Sequence, residues 1–201
     1  MPAAALYPVF LRLDGLSVVI VGGGPIAAGK LDGLLAAGAR VTVVAPAITG
    51  AIRALADPRV TLVERGFVPA DLDGARWVVA AAPPHVNAQV SAAATARGLF
   101  VNAVDDTSAA SAYLGGVIRR GEVEVAISTG GTAPALAGLL REALDALLPH
   151  ELERWVDVAK RARADWKRSG TPLTTRRSLL LRTLVQLYRA DALVATERGH
   201  A

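Results

Sequence analysis

Two neighbouring acids and a run of three glycines are the residues of this chain best placed to do chemistry. Asp105 and Asp106 follow the apolar run Leu99–Val104. Open α/β sheets bind ligands at the carboxyl ends of their strands, and a carboxylate there acts as a general base when its surroundings tune its pKa. Aspartates also cap the turns that follow them, so position alone leaves Asp105 and Asp106 open to either role. Gly22-Gly23-Gly24-Pro25-Ile26-Ala27 fits the pattern G-x-G-x-x-A directly after a strand-like run. Gly22 permits the tight turn, Gly24 lets the main chain approach a pyrophosphate, and Ala27 lets helix and strand pack closely. The pyrophosphate then meets free N–H groups at the helix N-terminus. The three histidines, His85, His150 and His200, form no metal-ligand spacing, so no resident metal is expected. His85 stands after a strand-like run, where it either touches a cofactor or opens a helix. Cysteine is absent, which excludes disulfides, thiolate metal sites and cysteine nucleophiles and agrees with a reducing cytoplasm.

These groups need a frame, and the hydrophobic pattern supplies one. Strands are expected at Ser17–Val21, Arg40–Ala45, Val60–Glu64, Trp77–Ala82 and Leu99–Val104. Helices are expected between them: from Pro25 to Gly38, over Ala47–Leu55, and over His85–Arg97. Strands alternating with helices predict an α/β fold, a Rossmann-type doubly wound parallel sheet. Beyond Val104 the pattern changes. Val117–Ile127 alternates on both sides of Gly121 and predicts an antiparallel hairpin, followed by the small-residue loop Ser128-Thr129-Gly130-Gly131-Thr132 and a helix from Pro134 to about Leu148. Two apolar stripes at helical spacing follow: Leu152, Trp155, Val156, Ala159 and Trp166, then Leu180, Leu184, Leu187 and Tyr188. The expected organisation is a dinucleotide-binding domain over 1–113, a small α+β region of hairpin and helix over 114–148, and a helical tail over 149–201. The tail's stripes need a surface to bury them, and a second subunit is a natural one.

With 52% hydrophobic and 20% charged residues, the chain has ample material for a packed core. The N-terminus lacks the basic stretch of a signal peptide. The long uncharged run Trp77–Ala96 is broken by Pro83, Pro84, His85, Asn87 and Gln89, and reads as strand, turn and helix, not as a membrane span. A soluble cytoplasmic protein without a membrane partner is expected. Residues 1–150 carry 11 basic and 12 acidic side chains, residues 151–201 carry 11 and 6, so the positive excess lies in the tail. It is either a solvated helix face or a patch for an anionic partner. The tail lacks the aromatic interleaving of nucleic-acid binders, and no nucleic-acid partner is expected. The cofactor expected at the glycine turn is NAD. Its distinction from NADP is not written in the sequence, because the second strand ends in Val43-Val44-Ala45-Pro46 with neither an acid for a ribose hydroxyl nor an arginine pair for a 2′-phosphate.

Four segments occur in a telling order: Pro8-Val9-Phe10-Leu11, VVIVGGGPIAAGK (18–30), NAVDDTSAAS (102–111) and AISTGGTAPALAGLLRE (126–142). With them, nearly the whole chain resembles the precorrin-2 dehydrogenase/sirohydrochlorin ferrochelatase module of siroheme synthases. The resemblance implies oxidation of precorrin-2 to sirohydrochlorin with NAD accepting a hydride, and in many members insertion of ferrous iron, a substrate, to give siroheme. It assigns Asp105 the catalytic role, which suits a reaction that releases a proton with the hydride and pyrrolic protons with metal insertion. Pro25 and Ile26, with Pro46 and Ala47, match positions that contact NAD largely through main chain. A carboxylate-rich tetrapyrrole substrate suits the Ser128–Thr132 loop, whose N–H groups and hydroxyls can donate to anions; Arg119, Arg120 and the tail arginines either join it or remain solvated. Thr129 stands where some relatives carry a modified serine. The region after the fifth strand, with the tail, matches the part that makes a homodimer. The methyltransferase domain fused to this module in some siroheme synthases is not expected within the 201 residues. Departures from the family pattern are Gly115-Gly116, Thr107-Ser108 and the second acid Asp106. The alternatives are a dehydrogenase without chelatase activity and a non-enzymatic NAD-sensing module.

Overall fold

Short β-branched runs flanked by helices bury both faces of the sheet they form. The computed structural model describes residues 5–104 and 106–198, with side chains as far as residue 186. Strands β1 (Ser17–Val21), β2 (Arg40–Val44), β3 (Val60–Val63), β4 (Trp77–Ala80) and β5 (Val101–Ala103) make one parallel sheet in the order β3-β2-β1-β4-β5. Helix α1 (Pro25–Ala36) follows β1, α2 (Gly50–Ala54) follows β2, and α3 (Pro84–Thr95) follows β4. Alternation along β1 divides the core. Val18 and Ile20 pack with Ala27, Leu31 and Ile52 on one face, while Val19 and Val21 pack with Val90 and Ala94 on the other. Leu31, wholly buried, contributes about 1.5–3 kcal/mol by leaving water. This is the doubly wound sheet expected from the sequence. Its order reverses between β1 and β4, which opens a crevice at their carboxyl ends.

Several element ends differ from expectation, β5 for example covering Val101–Ala103 and not Leu99–Val104, and those of α2, β4 and α3 have local reasons. Helix α2 covers only Gly50–Ala54, not Ala47–Leu55, because Thr49 N–H is held by Gly23 O at 2.9 Å and Thr49 stays extended as the N-cap. Strand β4 stops at Ala80. Ala81 N–H still bonds Val21 O at 2.8 Å, but Ala82 N–H turns to Asn87 Oδ1 at 3.0 Å, and α3 opens at Pro84, one residue before its expected start. A 3₁₀ turn over Pro69–Leu72 also forms, in which Asp71 Oδ2 accepts from Val68 N–H at 2.9 Å.

The chain falls into two compact units, one of residues up to Gly115 together with Ser128–Pro134, the other of Gly116–Ile127 and the residues from Ala135 onward. In the second unit, β6 (Gly116–Arg120) pairs antiparallel with β7 (Val123–Ile127). Gly121 turns the hairpin at φ +56°, where a Cβ would stand 2.4 Å from Glu153 Cγ. Helix α4 (Pro134–Leu147) leads to α5 (Leu152–Ser169), which Gly170 ends in the left-handed region at φ +69°, and α6 (Leu173–Arg198) follows. The Leu187 and Tyr188 positions of the expected stripe lie outside the described side chains. Among the described residues, no helix is long and apolar enough to cross a membrane.

Candidate active site

The three glycines of the first turn have separate duties. Gly22 sits at φ +132°, and a Cβ there would stand 2.2 Å from Ala81 O, so the main chain just after β4 leaves no room for a side chain. A Cβ on Gly23 would meet Ala47 O, also at 2.2 Å, because the loop carrying Pro46 and Ala47 lies against the turn. Gly24 has no atom within 4 Å of the same position. Its space is open, and Gly24 caps α1 with neither a side-chain cap nor an acid in the first turn. Helix N-termini otherwise fill their N–H groups with caps. This one leaves them to an anion, with main chain able to approach it closely. The arrangement fits a dinucleotide pyrophosphate.

Beside the turn, a cleft of about 230 Å³ is lined by Ile26, Ala81, Ala82, Pro84, Asn87, Val104 and Asp106. It occupies the crevice between β1 and β4, and its walls are mostly apolar. Asn87 is 3% exposed and fixes the Ala82 wall by the hydrogen bond already described. Sequence reasoning took Asn87 only as a break in an apolar run; its signal as a site residue was an amide in the first turn of a helix opened by Pro84. His85 is exposed on the first turn of α3, and does not line the cleft.

Of the two acids, Asp105 lies outside the described residues; its neighbours Val104 and Asp106 both line the cleft. Asp106 Oδ1 accepts from Ser108 Oγ at 2.7 Å, from Ser108 N–H at 3.0 Å and from Ala109 N–H at 3.0 Å. The Ser108 hydroxyl first, then the two amides, hold its carboxyl below the usual carboxylate range. Such a group caps a turn and is a weak base.

The Ser128–Thr132 loop packs near the same turn. Gly131 adopts φ +76°, and a Cβ on it would stand 2.6 Å from Thr107 Cγ2 and 3.3 Å from Tyr113 Cδ1. Tyr113 in turn donates its hydroxyl to Thr107 O at 3.1 Å. Within the loop, Ser128 Oγ accepts from Gly130 N–H at 3.1 Å, Thr129 Oγ1 accepts from Ala133 N–H at 3.2 Å, and the Thr132 hydroxyl donates to Thr129 O at 2.6 Å. The structure therefore sets the turn of Gly22, Gly24 and Pro25 beside a cleft that Ile26 lines, and sets the loop carrying Pro46 and Ala47 against that turn. The loop stands against Thr107, next to Asp106. Among the described residues, no cluster of three or more His, Asp or Glu side chains is arranged to hold a metal ion.

Comparison with known proteins agrees with this geometry. Residues 9–116 match the family model described as "Putative NAD(P)-binding". Siroheme synthase 2 of Aeromonas hydrophila is 44% identical over 171 residues, which cover 85% of this chain and 36% of that protein. Siroheme synthase 1 of Aeromonas salmonicida is 41% identical over 197 residues, 96% of this chain and 42% of that one. The solved structure of SirC, a precorrin-2 dehydrogenase, superposes with a TM-score of 0.67 at 26% identity over 88% of each chain. The chain belongs to the precorrin-2 dehydrogenase/siroheme synthase family. This family member spans 36% to 42% of the length of those two siroheme synthases. The glycine turn, with Gly22, Gly24, Pro25 and Ile26, falls inside its NAD(P)-binding segment, as do Pro46, Ala47 and Asp106.

Proposed function

We propose that this family member oxidises precorrin-2 to sirohydrochlorin with NAD as cofactor, then inserts ferrous iron to give siroheme, working as a cytoplasmic homodimer. The observation that carries the reading is the open space over Gly24, beside an apolar cleft that runs to the turn holding the acids. Gly22 and Gly24 shape the pyrophosphate cradle, Pro25 and Ile26 offer the first-turn main chain, and Pro46 and Ala47 flank the adenosine half. Bound NAD supplies the hydride acceptor. The protein's part is to place the tetrapyrrole, exclude water and remove a proton. Asp105 takes that proton, because Asp106 is committed to Ser108 and Ala109 and its charge is too well stabilised to be a good base. The same carboxylate receives a pyrrolic proton when iron enters. Ser128, Thr129, Gly130, Gly131 and Thr132 hold peripheral carboxylates of the substrate near the base. Residues 114–148, with the apolar face of α4, join the two protomers; Leu139 and Leu147 on that helix are 65% and 77% exposed.

The test is a coupled assay in which purified protein receives precorrin-2 and NAD while the sirohydrochlorin absorption is followed. Appearance of the band only with both additions supports the reading; a folded, NAD-binding protein that gives no band refutes it. Ferrous iron added next should give siroheme faster than the spontaneous reaction. An unchanged rate would assign the chain oxidation alone.

A further inference from the structure

Dinucleotide-binding sheets tell NAD from its 2′-phosphorylated form near the end of the second strand, where an acid takes the ribose hydroxyl or an arginine takes the phosphate. Here β2 ends without a charge, and the ionic groups at this corner come from the elements that follow. Arg53, on α2, donates from Nε to Ile48 O at 3.3 Å, which lays its guanidinium against the loop that abuts Gly23. Both terminal nitrogens of Arg53 are turned onto Glu64, the residue after β3: Nη1 to Oε1 at 2.6 Å, and Nη2 to Oε2. One residue on, Arg65 is gripped in the same two-pronged way by Asp71, at 2.8 and 2.5 Å. The Glu64 carboxyl is held below its usual range by its hydrogen bonds from Arg53, and the guanidinium is raised in return. Both partners are charged, and the corner is neutral. The Arg53–Glu64 pair is about half exposed, with 45% and 47% of the side chains accessible, so it adds little to stability. Its consequence is electrostatic.

Resting on the dinucleotide reading above, we infer that Glu64 is a specificity-determining residue: by occupying Arg53 it withholds the cation a 2′-phosphate needs and sets a negative charge in its path, so the protein takes NAD and rejects NADP. A 2′-phosphate arriving at this corner meets a guanidinium already paired with a carboxylate, and that carboxylate repels it. A ribose hydroxyl meets neither penalty. Removing the carboxylate while keeping the arginine frees a two-pronged donor of the kind that binds phosphates.

The experiment titrates the full chain with NAD and with NADP by calorimetry, for the wild type, Glu64→Gln and the double variant Arg53→Ala/Glu64→Gln. Thermal melts establish that each is folded. The wild type should bind NAD at least about tenfold more tightly than NADP, the span expected for one misplaced charge. Glu64→Gln should tighten NADP by about tenfold and leave NAD within about twofold, and the double variant should lose that gain. Equal NADP affinity in the wild type and Glu64→Gln, or a gain that survives loss of Arg53, overturns the assignment. Folded wild-type protein that binds neither dinucleotide overturns the cofactor reading itself, and this inference with it. NAD binding with an unmoved NADP constant overturns the inference alone.

Discussion

Asp105 and Asp106 are adjacent acids to which we assign different work. Asp106 spends its Oδ1 on Ser108 and Ala109, and the base of the proposed reaction is Asp105. Asp105→Ala should therefore leave NAD affinity unchanged and abolish precorrin-2 oxidation. Normal turnover by this variant, in the coupled assay, would refute the assignment of the base. The glycines separate as cleanly. Gly22→Ala should cost about 1–3 kcal/mol in denaturant unfolding, since the residue is at φ +132° and a Cβ there would stand 2.2 Å from Ala81 O. Gly24→Ala should change stability by less than about 0.5 kcal/mol, its Cβ falling in open space at φ −87°, yet weaken NAD binding by occupying the cradle. A Gly24→Ala protein with native NAD affinity would remove the cradle from the site. The tight turn at Gly22 was legible in the sequence, because the glycine spacing alone states what such a turn requires. The turn-capping role of Asp106 was not, since it depends on which amides its carboxylate finds.

Among the elements, the strands and α1 were legible because apolar residues recur at the periods that sheet and helix burial demand. The missed features are held by contacts between segments distant in sequence or by polar side chains that break no pattern. Helix α2 is short because Gly23 O takes Thr49 N–H, a bond periodicity does not encode. The 3₁₀ turn after β3 depends on Asp71, which accepts from Val68 N–H and pairs with Arg65 while its side chain is only 8% exposed. The hydrogen bonds from Arg65, then the one from Val68, hold the Asp71 carboxyl below its usual range. The sign follows: a depressed folded-state pKa favours the folded protein above the unfolded value near pH 4, and that contribution fades as pH falls through the folded value. Asp71→Asn should thus lower unfolding stability by about 1 kcal/mol at pH 7, with the difference from wild type shrinking below about pH 4. Urea melts at pH 3 and pH 7 would measure it; a difference that does not vary with pH would contradict it.

For the whole molecule, the sequence disclosed a sheet-bearing first part and an amphipathic, basic remainder. It did not disclose that Ser128–Pro134 belongs with the first unit, because small loop residues carry no periodicity and only their contacts with Thr107 and Tyr113 reveal the association. The exposed leucines of α4 suit a partner of the same kind, and they give the proposed dimer its test. Leu139→Glu with Leu147→Glu should halve the mass seen by sedimentation while leaving the helical signal intact, since both side chains are already exposed. An unchanged mass would move the subunit contact elsewhere.

The first unit is discontinuous along the chain, with Gly116–Ile127 intervening before Ser128–Pro134 returns to it. A fragment cut at Gly115 would lack the segment that lies against Thr107 and Tyr113. On the ribosome, too, the sheet can form before the hairpin has emerged, but the surroundings of Thr107 are finished only after Pro134 has left the exit tunnel. On the proposed reading, cofactor capture can therefore precede completion of the substrate wall during synthesis.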